Sequence, residues 1–260
     1  MVNYGYCITS ISAVRFEPSE RAEMVSQLFF GEIFIVLEDT VKWVYIRNEN
    51  DGYTGWLERR QYAPMSEQAY AAAKGSAYAF PKNILSTLTH DSSQKSIRIF
   101  HGTPLPFNIN EEVEINNSIW RLDGDFFYKP SVPNAEKIIA MAKEYLNAPY
   151  LWGGKSIFGC DCSGFVQTIF NMNGITIKRD AFLQARDGEI VNLIDEALPG
   201  DLIFFDNLEG QIIHVGIFMG NGQIIHASGY VKIDAIDHLG IFNADLQTYT
   251  HKLRVIKRYF

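Results

Sequence analysis

GCDCSGFV, residues 159–166, is the stretch on which the reading of this chain turns. Cys160 and Cys162 flank Asp161, the small pair Ser163-Gly164 follows, and the sequence then becomes apolar. Two cysteines this close invite a metal or a redox pair; a single nucleophilic thiol is the other reading. Cys7 brings the total to three, an odd count that builds no disulfide framework. A Cys-x-Cys pair is short for a disulfide, and a zinc half-site needs a second pair that the sequence lacks. From Cys162 onward, Phe165, Val166, Ile169 and Met172 fall on one face of a helix, and Asn173-Gly174 closes it. A thiol at the start of a helix meets unsatisfied N–H groups and the positive end of the dipole. These favour a thiolate and can hold an oxyanion. A buried, inert thiol is the alternative, and position alone leaves both open.

A nucleophilic cysteine needs a base. In IIHVGIFM, Ile213, Val215, Ile217 and Met219 alternate onto one side of a strand, and His214 shares the other side with Gly216 and Phe218. His226, beyond the next turn, can orient such a base as the third member of a triad. Register decides whether it does. A two-residue Asn221-Gly222 turn pairs Gly220 with Gln223 and sends the two histidines to opposite faces. A three-residue loop, Met219-Gly220-Asn221, pairs His214 directly with His226. The second register is the expectation.

Outward from this centre, the chain reads as three segments. Residues 131–260 open with a helix capped by Asn134, with Glu136 in its first turn. Ile138, Met141, Ala142, Tyr145 and Leu146 form its apolar stripe, and Pro149 is expected to end it. After the Cys162 helix come strand signals at DLIFFD, IIHVGIFMG, QIIHAS and KLRVIKRYF. Helices followed by antiparallel strands make an α+β pattern. Residues 1–63 read as short strands with Gly and Asp turns, a small β-barrel. Residues 64–130 read as a linker holding a helical turn, then a second, divergent barrel, with no short-period repeat.

Composition is that of a globular protein: 47% apolar, 20% charged, net charge −7. No basic block suggests nucleic acid or an anionic membrane surface as partner, and no apolar run is long enough to span a bilayer. The first fourteen residues contain no Lys or Arg and no apolar core, so no secretory signal is read and a cytoplasmic location is expected.

APYLWGG…GCDCSGFVQTIF…LPGDLIFF…HVGIFMGNGQIIHASG closely resembles the NlpC-type cysteine peptidases, papain-like enzymes that cut bacterial cell-wall peptides. The resemblance covers about residues 134–260, in several ordered blocks. It implies Cys162 as nucleophile, His214 as base and His226 as the third polar residue, with no metal or cofactor. Residues 14–57 resemble the bacterial SH3-like domain, Gly31-Glu32 and GWL being the closest points. Two SH3-like domains before a peptidase resemble the cytoplasmic γ-D-glutamyl-L-diamino acid endopeptidases of murein recycling. That likeness implies a substrate L-Ala-γ-D-Glu-diamino acid with a free N-terminal amine, and contact between the first barrel and the catalytic cleft. A buried ammonium needs polar partners. Asp161, beside the nucleophile, is one candidate; its other role is to cap the helix. Tyr53 and Glu17 are the barrel candidates, otherwise a strand aromatic and a surface acid. Tyr150 and Trp152 match the family's loop before the nucleophile and are expected to wall the pocket, with the Tyr150 hydroxyl beside the oxyanion. Ser163 is expected to face substrate or to serve the helix start.

Two departures stand out. Cys160 replaces the family's usual Phe, Tyr or Ile and is read as packing. KRDAFLQA lacks the Ser that often follows its Arg-Asp. The implied chemistry is acyl transfer to water, with Cys162 attacking as a thiolate paired with protonated His214. Three rivals are a secreted hydrolase of intact wall, a lipid acyltransferase and a non-catalytic wall-binding module.

Overall fold

The computed structural model describes residues 3–108 and 112–260 of the 260. The chain divides into two compact units, the first running through Lys129 and the second spanning Pro130–Phe260.

The first unit holds two antiparallel barrels. Strands β1 (Asn3–Cys7), β2 (Ile11–Arg15), β3 (Met24–Phe29), β4 (Ile33–Asp39), β5 (Trp43–Asn48), β6 (Thr54–Glu58) and β7 (Tyr62–Met65) form a sheet of order β3-β2-β6-β5-β4-β1-β7. Cys7, Leu28, Phe34, Ile46 and Leu57 share one apolar core. Residues from near both ends of the strand order meet there, so the sheet curls round it. Helix α1 (Glu67–Gly75) follows, and then strands β8 (Ala77–Pro81), β9 (Leu85–His90), β10 (Ser96–Phe100), β11 (Leu105–Phe107), β12 (Val113–Ile115), β13 (Ser118–Asp123) and β14 (Phe126–Tyr128). Their order, β10-β9-β13-β12-β11-β8-β14, repeats the first sheet strand for strand. The second barrel is therefore a topological copy of the first.

Two boundaries differ from the expected ones. The first barrel runs past residue 63, because β7 pairs with β1 through Tyr4↔Met65. The expected linker is a nine-residue helix. Ser66 caps it through the Ala69 N–H, and Ala69, Tyr70 and Ala73 pack on Ile33 and Met65. The barrels also share apolar contacts: Phe30, between β3 and β4, lies in the second barrel's core, its ring 5.1 Å from that of Trp120.

The second unit is α+β. Helix α2 (Ala135–Glu144) is capped by Asn134, whose side chain accepts from the Lys137 N–H. It ends before Pro149, contrary to expectation: the chain leaves the helix at Tyr145, and Asn147 takes a left-handed φ of 69°. A short hairpin, β15 (Lys155–Ser156) and β16 (Gly159–Cys160), leads into α3 (Cys162–Met172), and α4 (Ala181–Gln184) follows. Helix α3 is buried on every side through Phe170, not along one stripe. Two of its polar residues hydrogen-bond inside: Gln167 donates to the Ile177 carbonyl and Thr168 to that of Lys155. Strands β17 (Glu189–Val191), β18 (Leu202–Asp206), β19 (Ile212–Gly220), β20 (Gln223–Ser228), β21 (Tyr230–Ile236), β22 (Gly240–Asn243) and β23 (Thr248–Arg258) complete the unit. Strand β22 pairs with both β21 and β23, so β18 to β23 close a ring, with β17 outside on β23. Ile203, Phe205, Phe218, Ile224, Ile236 and Ile241 belong to one core cluster of this ring. Among the described residues, no helix is long and apolar enough to cross a membrane.

Candidate active site

The site is built where α3 meets β19. Helix α3 begins at Cys162, with Asp161 as its N-cap. The Asp161 carboxylate receives five donors. Oδ1 accepts from the Gly164 N–H at 2.7 Å, Arg179 Nη1 at 3.0 Å and Ser163 Oγ at 3.3 Å. Oδ2 accepts from Arg179 Nη2 at 2.6 Å and the Gly153 N–H at 2.8 Å. A carboxylate offers about four acceptor sites, so these partners fill it. Of the two roles open to Asp161, capping is thus the one the geometry serves, together with a bidentate pair to Arg179. An incoming ammonium would meet a carboxylate already occupied. Ser163 is likewise tied to the helix start, since its Oγ also accepts from Arg179 Nη1 at 3.0 Å.

The histidines come from the next strands. The turn is the two-residue Asn221-Gly222, with φ of 52° and 67°, and Gly220 pairs with Gln223. Both angles are left-handed, as the tightest hairpin turns require. A bulge at Met219 then shifts the register by one, so that Gly216 pairs with His226. The expected direct His214↔His226 pairing is therefore absent. The bulge keeps both rings on one face all the same, as diagonal neighbours. Gly216 makes the approach feasible, because a Cβ there would lie 2.9 Å from that of His226. His214 Nε2 sits 2.9 Å from His226 Nδ1. On its other side, His226 Nε2 is 3.1 Å from Asp234 Oδ2.

The ladder between β19 and β20 stops at Gly216↔His226, and the Val215 backbone hydrogen-bonds the Cys162 sulfur instead. This brings the thiol to the strand that carries His214. With Nε2 engaged by His226, Nδ1 is the second ring nitrogen of His214. His251 of β23 stacks on His214, ring centroids 4.3 Å apart and planes at 31°.

Burial governs the charges. It pushes the Cys162 thiol up to about 12, and the adjacent Asp161 carboxylate adds to the rise; the Val215 and Ser163 backbone and Arg179 oppose it. Burial drives His214 well below 6.5, helped by His226, His251 and Lys232. Both directions favour thiol and neutral imidazole over the expected thiolate–imidazolium pair. Burying two charges costs more than their attraction returns unless further hydrogen bonds hold them.

Tyr150 is half-buried. Its phenol is raised above the usual range by burial first, then by the charges of Cys162 and Asp161, so it stays protonated as a donor near Cys162. Trp152 is 61% exposed, which removes core packing as its explanation. Cys160 is wholly buried in β16, its thiol pushed up to about 12, first by burial. Tyr53 and Glu17 belong to the first unit. The Arg15↔Trp56 pairing of β2 and β6 brings their two loops to one edge of the barrel. Tyr53 lies in the turn before β6, not in a strand, and Glu17 is exposed.

Arg179, Asp234 and His251 had no role in the sequence reading. Arg179 stands in the KRDAFLQA loop already noted, where Ala181 opens α4, and its signal is burial, which the sequence does not print. Replacing Arg179 by Met strands a buried carboxylate, and unfolding measurements are expected to show a loss of about 3–5 kcal/mol. A loss under about 1 kcal/mol would mean that the pair does not organise the helix start.

Residues 147–251 match the NlpC/P60 family, and residues 14–61 match the bacterial dipeptidyl-peptidase SH3 domain. The gamma-D-glutamyl-L-lysine dipeptidyl-peptidase of Bacillus subtilis is 34% identical over 78% of this chain and 71% of its own. The protein of the same name from Bacillus cereus is 31% identical over 79% and 67%. Among solved structures, an NlpC/P60 family protein from Bacillus cereus aligns over 98% of this chain and 99% of its own, with a TM-score of 0.83 and 24% identity, a likeness of fold. An NlpC/P60 endopeptidase from Photobacterium damselae subsp. piscicida aligns over 97% and 70%, with a TM-score of 0.74 and 18% identity. Relatives this similar over so much of both chains make this chain a member of the NlpC/P60 family of cysteine peptidases.

Proposed function

We propose that the chain cleaves the γ-D-glutamyl–diamino acid bond of murein peptides that carry a free N-terminal L-alanine, with lysine or diaminopimelate as the diamino acid. The carrying observation is the hydrogen-bonded His214–His226 pair beside Cys162. Two relatives named gamma-D-glutamyl-L-lysine dipeptidyl-peptidase support the choice of bond. A role in cytoplasmic recycling of wall peptides belongs to the same proposal and rests on the order of domains.

The chemistry follows from the resting charges. His214 Nδ1 takes the Cys162 proton as the sulfur attacks the γ-carbonyl. The oxyanion is met by N–H groups at the start of α3, with the Tyr150 hydroxyl as a further donor. The imidazolium gives its proton to the leaving amine, and L-Ala-γ-D-Glu remains on sulfur as a thioester. Water, deprotonated by His214, attacks the thioester; the thiolate leaves and regains the proton. The free amine is the specificity element. Tyr53 and Glu17, on one edge of the first barrel, are its proposed partners through contact of that barrel with the cleft, and Trp152 walls the peptide site.

Cys162→Ala is expected to lower hydrolysis of L-Ala-γ-D-Glu-L-Lys, followed by mass spectrometry, by at least about a thousandfold. Retained turnover would remove Cys162 as nucleophile. The same peptide with its amine acylated, as in a stem on N-acetylmuramic acid, should react at least about tenfold more slowly, because a pocket built for a charge pays for its absence. Equal rates would remove the free-amine requirement. The neutral couple also fixes a pH profile. A base with a lowered pKa stays competent until the pH falls through that lowered value, so the acid limb of kcat/KM should lie below 6.5. With the thiol at about 12, no alkaline loss from Cys162 is expected through neutral and mildly basic pH. An acid midpoint above 6.5 would contradict the neutral couple.

A further inference from the structure

The hydrogen-bond chain from the base does not end at His226. That ring is fully buried and 3.1 Å from Asp234 Oδ2, on β21. In the β20–β21 ladder His226 pairs with Lys232 and Ile224 with Asp234, so all four residues share one face. Asp234 also sits 3.2 Å from Lys232 Nζ. Lys232 and the stacked His251 are the other titratable groups that act on the His214 ring beside His226.

A neutral imidazole carries one ring hydrogen. The Asp234 carboxylate is held ionised, its pKa lowered chiefly by the hydrogen bond from His226, and it only accepts. The His226 hydrogen is therefore on Nε2, and His226 Nδ1 is a lone pair. A 2.9 Å contact onto that lone pair requires His214 to donate from its own Nε2. His214 Nδ1 is then the bare nitrogen left for Cys162. We infer that Asp234 is a positioning residue, acting through His226 to fix the tautomers of both histidines so that His214 presents a lone pair to the thiol. This rests on His214 being the base. Lys232 completes the device: paired to Asp234, it counters the carboxylate that would otherwise face two buried rings alone.

The test is a ring nitrogen–hydrogen NMR correlation on wild type, Asp234→Asn and Asp234→Glu, with steady-state kinetics on L-Ala-γ-D-Glu-L-Lys. In wild type, His214 and His226 are both expected to carry their hydrogen on Nε2. An Asn amide can donate to His226 Nε2 as well as accept from it, so Asp234→Asn should mix the tautomers. It should lower kcat about tenfold to a hundredfold, with KM changed less than about twofold. Asp234→Glu should recover both the tautomer and most of kcat. A wild-type His226 with its hydrogen on Nδ1 overturns the inference, as does an Asp234→Asn enzyme with wild-type tautomers and kcat. If wild type does not cleave the peptide, the substrate proposal falls while the tautomer measurement still decides the role of Asp234. If Asp234→Asn fails to fold, the wild-type tautomer and Asp234→Glu decide it.

Discussion

A carboxylate buried at the mouth of a helix has to be paired, and Asp161 shows how much structure that single requirement recruits. It draws in the Gly153 N–H from the loop before Cys162, the Gly164 N–H from the first turn of α3, and both terminal nitrogens of Arg179. Those groups come from three separate stretches of chain. None of them could shift far without leaving a charge in a low-dielectric interior. The thiol next to Asp161 inherits a fixed position as a result. It also inherits a cost, because the same carboxylate raises its pKa. Arg179 offsets part of that cost, so the buried arginine that pairs with Asp161 also bears on how readily the sulfur ionises.

The histidines obey a different constraint, that of sheet register. A two-residue turn without correction would send His214 and His226 to opposite faces. The bulge at Met219 supplies the correction, and Gly216 supplies the space opposite His226. Strand β20 leaves β19 just beyond this point, which frees the Val215 backbone to reach the thiol. One irregular hairpin thus aligns His214 with His226 and opens an edge toward Cys162. This enclosure has an electrostatic consequence: burial disfavours the charged forms of both the Cys162 thiol and the His214 imidazole.

The helix carrying Cys162 and the faces of the histidine strand were legible in the sequence, because each follows from local spacing; for Asp161 the sequence offered capping as only one of two roles. So was the α+β order of the second unit. The remainder depends on neighbours distant in sequence. Nothing in IIHVGIFMGNGQIIH announces that Met219 bulges. Arg179 carries no sign in the sequence that the fold will close over it. Asp234 gains meaning only when β21 lies beside β20. Residues 66–75, read as a linker, hide a capped helix, because alanine-rich turns show apolar periodicity only weakly and the surface that covers Tyr70 lies on the first barrel.

The paired barrels carry the same lesson at the scale of a domain. Their strand orders coincide, yet no repeat shows in the sequence, and residues 14–61 of the first match the bacterial dipeptidyl-peptidase SH3 domain. Barrel topology asks for alternation and turns at suitable intervals, and many sequences satisfy that. What a barrel does depends on its loops, which topology leaves free. In the first barrel, the loops after β2 and before β6 bring an exposed acid and a tyrosine to one edge through the Arg15↔Trp56 pairing. In the second barrel, the equivalent strands β9 and β13 pair along Thr87 to His90, so the loops after β9 and before β13 again share an edge, but Asp91 and Asn116-Asn117 stand there instead. The two barrels thus share a strand order and differ in the residues of the loops at this edge.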